Sequence, residues 1–465
     1  MSAAVNEKTF VVENPATLEP IAEVADLGAA AATAAVDAAH AAFPEWAATA
    51  PRRRSEVLRR AFELMLRDED RLANLIATEN GKSLADAHAE VTYAAEFFRW
   101  FSEEAVRPGG DYGESPAGGT RTIVHHRPVG VAALVTPWNF PAAMATRKIG
   151  PALAAGCTAV LKPAEETPLT AIAVADLLRE AGLPEGALQV VPTTDAPGVV
   201  GAWLEDERVR KISFTGSTGV GRQLLRQAAE RVVNASMELG GNAPFVVAED
   251  ADLDAAAAGA MIAKFRNGGQ ACTAANRFYV HAAVAQEFSA RLGAAIEKLT
   301  VGSALDGAEI GPLITARALQ RTTATLEAAV DAGARIAAQA QLPALPGHFL
   351  APTLLTEVDP GASVVADELF APIAPVVVWE DEDQLLGEVN GSEYGLAAYV
   401  FSGDLKRALS LAERFEAGMV GVNRGLISDP AAPFGGVKQS GLGREGAREG
   451  LLAFQETQYL SVDWS

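Results

Sequence analysis

The stretch "VGVAALVTPWNFP" (129–141) decides the fold. From Val129 to Val135 it is an unbroken apolar run with no alternation. A strand that faces water on one side alternates; a run like this reads as a strand covered on both faces. Thr136 and Pro137 end it, and a helical stretch follows Pro141. Asn139 therefore stands just past the end of a buried strand, where open α/β sheets place their ligands. Its side-chain amide is suited to donate a hydrogen bond to an alkoxide.

Working outward, the same grammar repeats. "TAVLKPA" (158–164) reads as a strand and 167–182 as a helix, with Thr167 as N-cap, Pro168 at N1 and Gly182 at its end. "LQVVPTT" (188–194) is a strand, 196–204 a short helix, and "VRKISFTGS" (209–217) another strand. Strands alternating with helices predict an α/β fold with a parallel sheet covered on both faces. Upstream, 27–106 has apolar residues at helical spacing, and Pro44 and Pro51 are expected to break it into several helices. Residues 107–120 are a glycine-rich connector, and "RTIVHHRP" (121–128) alternates like an edge strand or ribbon. Downstream, 245–415 holds a second α/β unit. The C-terminal "QETQYLSVDWS" (455–465) is a strand that could pair elsewhere.

Bulk properties narrow the function classes. The 465 residues suggest two or three domains. A net charge of −21 repels phosphate backbones and anionic lipid, so neither nucleic acid nor a membrane surface is expected as partner. The N-terminal "MSAAVNEKTF" lacks the basic start and apolar core of a secretory signal. No apolar run approaches the roughly 18–20 residues needed to span a bilayer. Two cysteines make no disulfide framework and fit a reducing, cytoplasmic setting. No metal site is expected: His125 and His126 are adjacent on a strand and point to opposite faces.

One of those cysteines, Cys272, lies in "GGQACTAANR" (268–277) among glycines and polar residues, not among branched apolar ones. Glycines let backbone approach a ligand closely. Cys157, in "LAAGCTAV", reads as ordinary core. A thiol that adds to a carbonyl needs an oxyanion donor and a base for later water. Asn139 is a candidate donor, and Glu238, beside paired glycines in "MELGGNAP" (237–244), a candidate base. Gly216 and Ser217 form a glycine turn between a strand and a helix, where a pyrophosphate can meet backbone N–H groups. "GLGREG" (441–446) matches a dinucleotide fingerprint letter for letter, but no strand precedes it, and it reads as a loop.

"TPWNFP", "LKPAEETP", "FTGSTGVG", "MELGGNAP", "GGQACTAANR", "DELFAP" and "APFGGVKQSGLGREG" resemble, in order over about 130–450, the signature segments of the aldehyde dehydrogenase superfamily. "WNFPAAMATRK", "FRNGGQACTAANR" and "GLISDPAAPFGG" most resemble its succinate-semialdehyde dehydrogenases. The resemblance implies a Rossmann-type dinucleotide-binding domain over 1–112 and 129–240, a catalytic α/β domain over 241–438, and a β oligomerisation ribbon from 113–128 and 453–465. It implies Cys272 as nucleophile, Asn139 and the Cys272 N–H at the oxyanion, and Glu238 as the base that activates water. For the cofactor it implies Lys162 and Glu165 at the adenosine ribose, and Trp138, Gly216 and Ser217 by the pyrophosphate. Glu368 falls at the nicotinamide ribose with Phe370 beside the ring. Glu165 favours NAD over NADP, with Lys162 partly offsetting it. Arg147, Arg266 and Ser428 match positions that hold the carboxylate of a semialdehyde substrate. Two departures stand out. Ala274 replaces a second cysteine that some relatives carry, so no local disulfide switch is expected. Arg424 stands where a small residue is common, which leaves the preferred chain length open between succinate semialdehyde and glutarate semialdehyde or another ω-oxo acid. A homodimer or homotetramer is implied. The rivals are a non-catalytic NAD-binding relative and a thiol hydrolase, the latter short of a histidine partner.

Overall fold

The computed structural model describes residues 8–107 and 109–464. The first seven residues of the N-terminal stretch considered above lie outside them. Among the described residues, no helix is long and apolar enough to cross a membrane.

The opening stretch forms the strand Val131–Val135, buried at every residue. It lies inside a six-stranded sheet ordered Gly441–Leu442, Asn234–Glu238, Val209–Thr215, Val131–Val135, Thr158–Lys162, Leu188–Val190. Five strands run parallel; Gly441–Leu442 pairs antiparallel at the edge, Gly441 opposite Glu238. The "GLGREG" segment is thus partly an edge strand, not only a loop. Its partner lies some 200 positions away in the sequence, so no local signal marks it.

A second sheet of seven strands runs Arg335–Gln339, Thr353–Thr356, Ile373–Trp379, Ala275–His281, Ala243–Val247, Ala397–Phe401, Met419–Val422. It is parallel except at its first pair. A third sheet is antiparallel, with Thr120–Pro128 between Asp111–Glu114 and Gln455–Asp463. The "RTIVHHRP" segment is therefore a central strand, because the C-terminal strand covers its other side over nine residues. The architecture is the expected one: a Rossmann-like cofactor unit, a catalytic α/β unit and a small β region.

Pro51 opens the helix Pro51–Arg67, as expected. Pro44 breaks nothing; it lies inside the helix Ala29–Ala48. The buried face Ala32, Ala35, Val36, Ala39 and Trp46 straddles it, and Trp46 Nε1 donates to the Leu153 carbonyl at 3.2 Å. That packing outweighs the proline penalty of about 3 kcal/mol. Thr167 sits at an N-cap position, but its hydroxyl does not cap; it donates to the Trp138 carbonyl at 3.3 Å. The helix Pro168–Glu180 is capped instead by buried Glu79, which accepts from Leu169 N and Thr170 N, both at 2.9 Å.

The helix Pro141–Ala155 is buried at all 15 residues. Small side chains permit this: a Cβ on Gly150 would lie 3.0 Å from the Phe101 ring. The helix carries Arg147 and Lys148 into the interior, where unpaired charges are not tolerated.

Candidate active site

Cys272 lies between a short 3-10 turn, Arg266–Gly269, and the strand Ala275–His281. The turn is left-handed at three successive residues: Asn267 (φ 52), Gly268 (φ 58) and Gly269 (φ 76). A Cβ at Gly269 would strike the Ala371 carbonyl oxygen at 2.4 Å, so a glycine is required there.

Two contacts bring the other candidates to this loop. Asn139 Nδ2 donates to the Gln270 carbonyl at 3.0 Å, and Asn139 Oδ1 has no partner. Gly241 lies against the Cys272 carbonyl, where a Cβ would sit 2.3 Å from that oxygen. Glycine at 241 thus lets the segment after Glu238 pack directly on the cysteine loop. Glu238 ends its strand, is 3% exposed, and leaves Oε2 without a partner. Burial holds its carboxyl well above the usual carboxylate range; nearby Glu445 pushes the same way, and Lys148, Arg147 and Arg444 oppose it. The Cys272 residue keeps partial access to the cleft, yet desolvation dominates and pushes its thiol up to about 12, against the pull of Arg147.

A cleft of about 240 Å³ joins Cys272 to Trp138, Asn139, Gly216, Ser217, Glu368 and Phe370. Seven of the residues singled out from the sequence therefore face one space. It opens at the carboxyl ends of the parallel strands, before the helix Thr218–Ala229, whose N-cap is Ser217. The donor set fits a dinucleotide. Helix N–H groups face the cleft's mouth. The buried Thr215 hydroxyl has no partner, and a Cβ at Gly240 would fill the space in front of Glu368 Oε2 at 2.8 Å. Trp138 and Phe370 meet edge to face at 5.6 Å. Glu368 accepts from Gly241 N at 3.0 Å, and burial raises its carboxyl to about 7. Lys162 and Glu165 do not line this cleft. They pair with each other at 3.2 Å just past the neighbouring strand.

Of the three expected carboxylate anchors, Arg147 and Arg266 both act on the Cys272 thiol and draw its pKa down. Arg147 is 2% exposed. Its Nη2 donates to Tyr93 OH at 2.5 Å, its guanidinium lies 4.0 Å over the Phe434 ring, and Glu445 is 3.7 Å away. Its Nε has no partner, and Glu445 is one carboxylate shared between Arg147 and Lys148. Arg266 lies 5.2 Å over Phe140 and lines a different pocket with Asp86 and Phe265. Ser428 lines a groove of about 360 Å³ together with Arg424 and Phe434.

Sequence reasoning missed Glu445, Lys148 and Arg321. Lys148 Nζ meets Glu445 Oε1 at 2.5 Å and Ser213 Oγ at 2.9 Å, a buried network beside Glu238. Arg321 faces the cleft from the helix Ala316–Asp331. Lys148 and Glu445 lie in the quoted segments "WNFPAAMATRK" and "APFGGVKQSGLGREG", but only their pairing in the fold marks them.

The aldehyde dehydrogenase family model matches residues 2–460. The chain is 54% identical to a succinate-semialdehyde dehydrogenase of Paenarthrobacter nicotinovorans, over 93% of this chain and 96% of that protein. It is 48% identical to a glutarate-semialdehyde dehydrogenase of Pseudomonas putida, over 98% and 95%. Among solved structures, a succinate-semialdehyde dehydrogenase from Burkholderia pseudomallei superposes with a TM-score of 0.96 at 46% identity, covering 98% of this chain and 95% of that one. With its cysteine, its dinucleotide cleft and this kinship, the chain belongs to the aldehyde dehydrogenase family, as an enzyme that works with NAD or NADP.

Proposed function

We propose that this enzyme oxidises succinate semialdehyde to succinate through a covalent intermediate on Cys272, with NAD preferred over NADP. The convergence of three segments carries the reading: the Asn139 amide and the Gly241 turn that follows Glu238 both touch the cysteine loop. The Cys272 sulfur bonds to the aldehyde carbon, and the thiol proton passes to water in the cleft. The carbonyl oxygen takes up negative charge and receives hydrogen bonds from Asn139 Nδ2 and the Cys272 N–H. When bound, NAD or NADP would supply the two-electron acceptor for the hydride of that carbon. Cys272 then holds the acyl group as a thioester. Glu238, once ionised, takes a proton from water; the hydroxide oxygen bonds to the acyl carbon, and the carbon–sulfur bond breaks. Trp138, Gly216, Ser217, Glu368 and Phe370 would hold the cofactor along the cleft. Glu165 would hold the adenosine ribose hydroxyls and repel a 2′-phosphate, which supports NAD.

A second reading, glutarate semialdehyde or a similar ω-oxo acid, has its own support. Arg424 lines the same groove as Ser428, and of its side-chain nitrogens only Nε is engaged, donating to Leu426 O at 2.7 Å. NADH absorbance with both semialdehydes, with butanal and pentanal as uncharged controls, tests the choice, run with NAD and NADP in parallel. The highest kcat/KM is expected for succinate semialdehyde with NAD. A best substrate without a carboxylate would sink the reading. NAD binding with no turnover of any aldehyde would instead support a non-catalytic relative. Cys272→Ala is expected to abolish turnover. We further propose that the chain assembles as a homodimer or homotetramer.

A further inference from the structure

We infer that the buried ion pair Lys82–Glu90 is a positioning device for the Asn139 amide. The inference rests on the proposed role of Asn139 and adds the residues that aim it. Both side chains are completely buried, and Lys82 Nζ meets Glu90 Oε2 at 2.5 Å. Lys82 Nζ also donates to the Asn139 carbonyl at 2.7 Å and lies 3.9 Å over the neighbouring Phe140 ring. The other Glu90 oxygen accepts from Ala142 N at 2.9 Å and Ala143 N at 3.2 Å. Those are the first free N–H groups of the helix Pro141–Ala155, since Pro141 has none.

One ion pair therefore grips the Asn139 turn on both sides, by its carbonyl and by the helix that begins two residues later. Asn267 Nδ2 adds a second donor to the same carbonyl at 2.8 Å. The backbone being fixed, the side chain has little freedom: one Nδ2 hydrogen is committed to Gln270 O, and the other is left for a ligand. A buried pair is a weak source of net stability. Its geometry here is spent on one turn, and that turn carries an amide that reaches the cysteine loop at Gln270 O. A misplacement of about 1 Å at a reacting centre costs on the order of 100-fold in rate.

The test is a double-mutant cycle on kcat, with thermal midpoints recorded for every variant. Lys82→Met is expected to lower kcat about 10- to 100-fold while KM for NAD stays within about twofold. Asn139→Ala is expected to lower kcat on the order of 10²–10³-fold. Combined with Asn139→Ala, Lys82→Met should lower kcat no further, although it still lowers the thermal midpoint. A merely structural lysine would give an additive kcat loss, or none, and either result overturns the inference. Should Lys82→Met not fold, the paired variant Lys82→Met/Glu90→Gln leaves no lone buried charge, and the same cycle applies to it. If Asn139→Ala leaves kcat unchanged, the role given to Asn139 fails first and the inference falls with it.

Discussion

Cys272 and Glu368 face one cleft, and burial acts on both in the same direction. The Cys272 thiol, pushed up to about 12, is neutral near pH 7 in the free enzyme. Its alkylation by iodoacetamide should rise about tenfold per pH unit from 7 to 10 without a plateau, following the thiolate fraction. Arg147 draws that pKa down, so Arg147→Met should slow alkylation at any given pH. A plateau near pH 8 would show a thiolate stabilised far more than its surroundings allow. Glu368, raised to about 7, is mostly ionised at pH 8 and mostly protonated at pH 6. In its proposed place at the ribose, only the ionised Glu368 would accept two hydroxyl hydrogen bonds. The Kd for NAD, measured by calorimetry, should therefore weaken about five- to tenfold from pH 8 to pH 6. In Glu368→Gln that dependence should flatten. Cys272 was legible in the sequence because a rare thiol among glycines is a local anomaly. Glu445 was not, because a glutamate in a loop looks like any solvated carboxylate until the fold sets it against Lys148 and beside Arg147.

Strands and helices followed local chemistry wherever one segment decided its own state. The run 129–135, covered on both faces, is such a case, and Val131–Val135 came out as a buried central strand. Pro44 failed for the opposite reason: the residues on either side of it bury one shared face, so packing overrides the local breaker. Pro44 is itself exposed, and its ring has no packing role to lose. Pro44→Ala would restore an N–H for the helix. It should raise stability by about 1–2 kcal/mol after allowing for the added freedom of the unfolded chain, read as a higher thermal midpoint. The reading of 441–446 as a loop fell short because its strand partner is remote. Ser440 Oγ donates to the Gly240 carbonyl at 2.7 Å and accepts from Gly395 N at 2.9 Å. One hydroxyl thus ties the turn after Glu238 to the short strand Tyr394–Gly395. Ser440→Ala leaves two buried backbone groups unpaired and should cost about 2–4 kcal/mol in urea unfolding. It should also lower kcat, because the Gly240–Gly241 turn packs on the cysteine loop. A loss under about 0.5 kcal/mol would mean that the turn after Glu238 is held elsewhere.

Among the described residues each sheet is open and ends in edge strands. Met419–Val422 ends the seven-stranded sheet, and Gln455–Asp463 ends the three-stranded one. The second is exposed along nearly its whole length, with Tyr459 57% and Leu460 41% exposed. Adjacent strand residues point to opposite faces, so both faces of this strand show apolar surface to water. An exposed edge strand offers its unpaired backbone groups to another chain and is an aggregation hazard unless one covers it. Sequence pattern could name the strand but not its cover, because association leaves no periodicity in a single chain. Sedimentation at micromolar concentration should therefore give a dimer or tetramer, and a monomer would sink the assembly. In Tyr459→Glu/Leu460→Glu the mass should fall with far-ultraviolet circular dichroism unchanged. Salt separates the driving forces. Each chain carries a net charge of −21, so copies repel one another at low ionic strength. If apolar burial holds them, raising the salt shortens the Debye length from about 10 Å at 0.1 M towards 3 Å at 1 M and tightens the assembly. If ion pairs hold them, the same change loosens it, and the apolar edge is not what joins the subunits.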